Sequence, residues 1–191
     1  GKTLQNNPNM NQGSSFKVAV VGASGYSGQE LVHWILQHPH AELEAITSRQ
    51  FAGQTLNEIY PRFTHKGAAN TLKFTEPNPS VLAQTAEIVF LAMPHGAAAE
   101  YTQELLETNI RVIDLSADFR LDDAEVYEEF YDSTHPAPAL LEKSIYGMPE
   151  LHREAIRNSH LIASPGCYPT SILLPTVPLL RAEPVSYTHL T

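Results

Sequence analysis

The stretch Phe16-Lys17-Val18-Ala19-Val20-Val21-Gly22-Ala23-Ser24-Gly25-Tyr26-Ser27-Gly28 decides how the rest of the chain is read. Its first six residues are short, apolar and rich in β-branched side chains, which reads as a buried strand. Three glycines follow. From Gln29 to Gln37 the apolar residues Leu31, Val32, Ile35 and Leu36 share one face of a helix that Pro39 stops. Leu43 to Thr47 reads as a second strand. Strand, glycine turn, helix and strand within about thirty residues make one βαβ unit.

The alternation continues downstream. Glu87 to Ala92 reads as a strand, Ala97 to Glu107 as a helix, Arg111 to Leu115 as a strand and His160 to Ala163 as another. This order predicts an α/β protein with a parallel sheet covered on both faces. Phe51 to Pro79 and Tyr127 to Pro149 lack clear periodicity and read as long connections. Thr170 to Leu180 reads as a helix interrupted by Pro175 and Pro178. At the ends, residues 1–15 read as a flexible polar lead-in, and residues 184–191 as a foreign or disordered tail.

The chain has 191 residues, 42% hydrophobic and 17% charged, with a formal net charge of −9. That composition suits a globular core. The acidic balance argues against nucleic acid and anionic membranes as partners. No apolar run reaches the roughly 18–20 residues of a membrane span. The lone cysteine, Cys167, excludes an intramolecular disulfide and fits a reducing, cytoplasmic setting.

Gly22, Gly25 and Gly28 form G-x-x-G-x-x-G rather than G-x-G-x-x-G. Glycine lets backbone turn sharply and approach a pyrophosphate, and amides at the next helix N-terminus donate to that anion. Ser24 and Ser27 add hydroxyls, with Tyr26 between them. The same spacing also suits an ordinary strand-to-helix turn; the flanking strand and helix favour dinucleotide binding. At the tip of the second strand, where an acidic residue would favour NAD, stand Thr47, Ser48 and Arg49. Glu44 lies too early in the strand to reach the ribose. Ser48 and Arg49 suit a 2′-phosphate, so the expected cofactor is NADP. A solvated surface charge is the alternative for Arg49.

A lone cysteine is more often an inert buried residue. Cys167, however, sits in Ser164-Pro165-Gly166-Cys167-Tyr168-Pro169-Thr170, after a predicted strand and at the start of a predicted helix. A helix N-terminus favours an anionic sulfur. A thiolate beside a nicotinamide can attack an activated acyl group, expel phosphate and hold a thioester for reduction to an aldehyde. Such chemistry also needs an acid/base group.

Six segments together resemble the N-acetyl-gamma-glutamyl-phosphate reductases of arginine biosynthesis: Gly22 to Leu31, Thr47 to Arg49, Val89 to Glu100, Val112 to Leu121, Tyr146 to Leu151 and Ala163 to Thr170. They cover most of residues 16–180 in order. The resemblance implies a Rossmann-type doubly wound domain over residues 16–166 that binds NADP, followed at 167–183 by only the start of an α+β substrate domain. It implies an NADP-dependent acyl-phosphate reductase with Cys167 as nucleophile and the turn containing Pro94, His95 and Gly96 near the cofactor. Ser116 and Arg120 would bind substrate or support the cleft, and Asp118 would be structural. The family's catalytic histidine lies in the substrate domain, beyond the last residue of this chain. His95 is not at the matching place, so no acid/base residue is assigned. The chain is accordingly expected to be truncated, to lack turnover alone, and to form homo-oligomers at full length.

Other signals are set aside. His38-Pro39-His40 lacks the accompanying ligands of a metal site. Ser24 and Ser27 do not form a nucleophile elbow. Asp122 to Glu129 reads as a solvated helix face. The competing functions are a sister enzyme of aspartate-semialdehyde dehydrogenase type and a non-catalytic dinucleotide-binding module.

Overall fold

A computed structural model describes residues 15–64 and 66–182. The lead-in (apart from Ser15) and the tail at 184–191 lie outside the described residues. In chain order the elements are β1 (Phe16–Val21), α1 (Tyr26–Ile35), β2 (Ala41–Thr47), α2 (Leu56–Ile59), β3 (Phe74–Thr75), α3 (Pro79–Thr85), β4 (Ile88–Leu91), α4 (Ala98–Leu106), β5 (Arg111–Asp114), α5 (Ala124–Tyr131), β6 (Ser144–Tyr146), α6 (Pro149–Asn158), β7 (Leu161–Ala163) and α7 (Cys167–Ala182). Short 3-10 turns at Pro61–Phe63, Gly67–Asn70 and Pro138–Lys143 fill the connections.

The seven strands form one sheet in the order β3-β2-β1-β4-β5-β7-β6, and every neighbouring pair is parallel. Strand periodicity sends alternate side chains to opposite faces. Ala19, Val21, Val89 and Leu91 join Leu82, Ala98 and Leu105 in one apolar cluster. Val18 and Val20 join Val32, Ile35, Leu56 and Phe63 in the other. β1 is thus buried on both faces, as a near-continuous apolar run in a parallel sheet demands.

Strand order reverses at β1, which pairs with β2 on one side and β4 on the other. In open parallel sheets this switch point opens a crevice at the carboxyl ends of the strands, where ligands bind. The Rossmann-type expectation holds.

Some boundaries and elements differ from the sequence reading. α1 begins at Tyr26, three residues before the predicted start at Gln29, because extended Gly25 ends the turn and the next residues already wind. The two supposed connections contain β3 and β6, of two and three residues, too short to show alternation. α7 runs unbroken through Pro175 and Pro178 and buries none of its residues. A proline there loses one backbone bond but does not by itself end the helix.

Candidate dinucleotide and thiol site

The glycine turn is shaped by two contacts. Gly22 has φ +77°, and a Cβ there would run into the carbonyl oxygen of Ala92, at the end of β4. A Cβ on Gly28 would overlap the Gly22 carbonyl and the backbone of Ala23. Gly25 is different: its Cβ would meet only the Gly22 oxygen, at 3.7 Å, and the residue is exposed. The fold needs glycine at 22 and 28, whereas at 25 the backbone is exposed and has room for a side chain.

The turn is tied down around Ser24. Its carbonyl accepts from Tyr60 Oη at 2.8 Å and from Gln29 Nε2 at 3.2 Å. Its hydroxyl donates to Ser48 Oγ at 3.0 Å, joining the turn to the tip of β2. Arg49, next along, is exposed, and Glu44 is held by Lys17 at 3.4 Å. Tyr26 and Ser27 are exposed beside Gly25. On α4, the Tyr101 hydroxyl is buried and has no hydrogen-bond partner among the described residues. Burial raises its pKa, while the positive charge of Arg49 acts in the opposite sense.

Two helix N-termini meet at the switch point, and they are treated oppositely. The start of α1 has no side-chain cap and no acidic residue in its first turn. Its leading amides are therefore left without a side-chain acceptor, the condition under which a helix start can receive an anion. The start of α4 is closed by Asp118, from the loop after β5. One carboxylate oxygen accepts from Gly96 N at 2.8 Å, and the other from Ala98 N and Ala99 N at 3.2 and 3.3 Å.

Asp118 also holds His95, whose Nδ1 lies 2.9 Å from Oδ1. His95 Nε2 lies 3.2 Å from the Tyr127 hydroxyl, and its ring packs 4.5 Å from that of Tyr131. Nδ1 is placed to donate to the Asp118 carboxylate, and Nε2 meets the Tyr127 hydroxyl. With both nitrogens engaged, His95 offers a ligand its backbone and ring surface. Burial, then the Asp118 charge, raises the Tyr127 pKa, which keeps that hydroxyl a donor.

The loop after β5 carries a second carboxyl group. Asp114 is fully buried and accepts from Ser116 N at 2.9 Å and Ser116 Oγ at 2.7 Å. Ser116 Oγ in turn accepts from Asp118 N at 3.1 Å. Burial raises the Asp114 pKa to about 6 against these hydrogen bonds; Asp118 adds to the rise and Arg120 opposes it. Arg120 donates from Nε to Ser164 O at 2.9 Å and from Nη2 to Leu115 O at 3.0 Å. Its Nη1 would lie 3.1 Å from a Cβ on Gly166. Ser116 and Arg120 thus spend these donors on supporting loops.

Cys167 is exposed and is the first residue of α7. Gly166 O accepts from Thr170 N at 3.0 Å and Thr170 Oγ1 at 2.9 Å, fixing the first turn. Because all strands are parallel, the glycine turn, Ser48, Arg49, Pro94 to Gly96, Ser116, Arg120 and Cys167 all follow carboxyl ends on one sheet edge. Three strand spacings, roughly 14 Å, separate β1 from β7. A ligand joining the glycine turn to the thiol must lie along that edge, as an extended dinucleotide does. No group of metal-binding side chains occurs among the described residues, and none of their helices is long and apolar enough to cross a membrane.

Sequence reasoning missed Asp114, Tyr101 and Tyr127. Tyr127 lies inside the acidic run, where its neighbours suggested only a solvated face. Asp114 is an acidic residue ending an apolar strand, which is itself a local signal of a buried carboxyl group.

A family model described as "Semialdehyde dehydrogenase, NAD binding domain" matches residues 17–159. A protein of Akkermansia muciniphila named N-acetyl-gamma-glutamyl-phosphate reductase is 54% identical, over 87% of this chain and 48% of its own length. A Syntrophobacter fumaroxidans protein of the same name is 50% identical, over 87% of this chain and 47% of its own length. The chain thus spans about half the length of these curated relatives. Among solved structures, aspartate semialdehyde dehydrogenase II of Vibrio cholerae aligns with TM-score 0.63 and 19% identity, over 88% of this chain and 47% of that one. The Candida albicans aspartate semialdehyde dehydrogenase with NADP gives 0.59 and 15%, over 88% and 48%. These last two likenesses concern the fold.

Proposed function

The chain belongs to the family of semialdehyde dehydrogenase NAD-binding domains, and from that premise we propose that it is the cofactor-binding and nucleophile-bearing part of an NADP-dependent N-acetyl-gamma-glutamyl-phosphate reductase. The observation that carries the proposal is the open N-terminus of α1 beside side-chain-free Gly25, on the same sheet edge as an exposed Cys167. The neighbouring α4 terminus is capped by Asp118, so of the two it is the α1 terminus that suits an anion.

The residues present fit a phosphorylated dinucleotide. The amides of Tyr26, Ser27 and Gly28 would face the pyrophosphate. Ser48 and Arg49 would take the 2′-phosphate, and the backbone from Pro94 to Gly96 the nicotinamide half. The unpartnered Tyr101 hydroxyl, within the influence of Arg49, fits the adenosine side of that span. When bound, the cofactor supplies a hydride.

The chain's own chemistry starts at Cys167. Its thiolate attacks the acyl carbon of the acyl phosphate; the new bond is Sγ–C and the bond to the phosphate oxygen breaks. Phosphate leaves with the electron pair, and Cys167 holds the thioester. The start of α7 stabilises negative charge on that sulfur before attack and again when it departs. The proton needed by the leaving group comes from outside His95, whose nitrogens are both bonded. Residues 16–166 are assigned to the cofactor domain and those from 167 to the start of the substrate domain.

Incubation with N-acetyl-gamma-glutamyl phosphate should add one acyl group to Cys167 and release one equivalent of phosphate, read by intact mass and peptide mapping. Cys167→Ala should give neither. Labelling by aspartyl phosphate alone would favour the aspartate-semialdehyde type, and a thiol that reacts no faster than free cysteine with either would overturn the catalytic reading. For the cofactor, Arg49→Ala should weaken NADPH binding about ten- to hundredfold, the worth of a charge-assisted pair. NADH binding should be unchanged. A wild-type protein that binds NADH as tightly as NADPH in calorimetric titration would refute the NADP assignment.

A further inference from the structure

We propose that the segment from Asp114 to Arg120 is a two-ended positioning element: Asp118 sets the turn after β4 that borders the cofactor, and Arg120 sets the turn that carries Cys167. This division of labour rests on the functional reading above.

One end is built on a carboxylate. Asp118 is fully buried, and its two oxygens take the Gly96, Ala98 and Ala99 amides together with His95 Nδ1. Four donors on one buried acceptor leave the turn from His95 to Ala99 little freedom. The other end is built on a guanidinium. Arg120 joins the Ser164 carbonyl to the Leu115 carbonyl and lies against Gly166. Ser164 N also donates to Asp114 O at 2.8 Å, so the turn before Cys167 is attached to this segment twice.

The middle is internally bonded. Ser116 joins Asp114 to Asp118 through its hydroxyl, and the His135 Nε2 bonds the Asp118 carbonyl at 2.6 Å. His135 Nδ1 accepts from Ala137 N, which leaves Nε2 to donate. Asp118 is fully buried, and Arg120 donates to two backbone carbonyls. Both ends act through neighbouring backbone, which makes them positioning residues.

The test uses the wild-type chain, Asp118→Asn, Arg120→Gln and Arg120→Lys. Two readouts are compared: the NADP⁺ dissociation constant by calorimetry and the iodoacetamide alkylation rate of Cys167. A misplaced reacting group costs on the order of ten- to hundredfold. Asp118→Asn is therefore expected to weaken NADP⁺ binding about tenfold, with alkylation close to wild type. Arg120→Gln and Arg120→Lys should both slow alkylation about tenfold, with NADP⁺ binding close to wild type. Wild-type alkylation in Arg120→Lys would mean that charge alone matters and would overturn the bracing role. Variants that lower only the melting temperature, or that move both readouts together, would overturn the division.

Should Asp118→Asn not fold, amide exchange in Arg120→Gln still decides the matter. Exchange at Thr170 should quicken while that at Gly96, Ala98 and Ala99 stays slow; quickening at all four would refute separate ends. A wild-type chain that binds no NADP⁺ would instead defeat the functional reading itself.

Discussion

Gly22→Ala should lower stability by about 2–5 kcal/mol, combining roughly 1–2 for an L-residue at left-handed φ with about 1–3 for overpacking. Gly22 stands at φ +77°, and its missing side chain is the space occupied by the Ala92 carbonyl. Neither obstacle can yield cheaply. The backbone is held by Gly22 N on Thr47 Oγ1 at 3.3 Å and Ala23 N on Thr47 O at 3.0 Å. Ala92 is held by its own N–H on Val21 O at 2.9 Å. Relief would require β1 and β4 to part at the switch point, so dinucleotide binding should disappear with the stability. Gly25→Ala supplies the contrast. Gly25 has φ −75° and room for a methyl group, so melting should be unchanged or slightly raised. Its affinity for NADP⁺ should nevertheless fall, because the methyl group would occupy the approach to the pyrophosphate. Paired melting curves and titrations separate the two glycines. A Gly22→Ala protein of wild-type stability would show that the turn can be rebuilt, and unchanged NADP⁺ affinity in Gly25→Ala would remove the ligand from that position.

That contrast shows what a linear sequence reveals and what it hides. The three glycines looked equivalent because spacing is all that sequence displays. Their different duties depend on Ala92, seventy residues after Gly22, and on the strand pairing that brings it near. The central strands were legible because β1 and β4 are apolar on both faces, a pattern that survives without knowledge of partners. β3 and β6 were not, since two or three residues cannot display a period. The placement of Cys167 at a helix start was legible from its strand–turn–helix setting, and that of Arg49 just beyond β2 from the strand pattern. The Asp118 bond network was illegible. Its donors come from a turn about twenty residues earlier, and nothing local distinguishes a carboxylate that caps a distant helix from one in solvent. Tyr127 shows the opposite error: charged neighbours suggested a solvated surface, but the helix turns this one ring inward against His95 and His135.

The pH dependence of stability should carry the mark of Asp114. Its carboxyl is fully buried, and burial lifts its pKa to about 6, from roughly 3.9 in an unfolded chain. The folded protein therefore binds this proton more tightly than the unfolded one. Below about pH 4 both states are protonated and the group contributes no slope. Between about 4 and 6 the unfolded chain ionises first, so stability falls as pH rises; above about 6 the loss is complete, near 3 kcal/mol. This sign is opposite to that of an ion-paired surface carboxylate. Asp114→Asn should abolish the slope. The amide oxygen still accepts from Ser116 N, while its NH₂ can meet Ser116 Oγ. Relative to wild type, the variant should gain stability progressively from pH 4 to 7. Urea titrations at each pH provide the measurement, and taking the difference between the two proteins removes every other titrating group. A difference that stays flat across that range would mean that the Ser116 bonds and Arg120 outweigh burial, leaving Asp114 an ordinary carboxylate. Because this group links Ser116 to the Asp118 end of the loop, a gain in stability bought by Asn should come with altered placement of the turn after β4. Weaker NADP⁺ binding in a more stable protein at neutral pH is the combined outcome expected if the buried charge is retained for the site rather than for the fold.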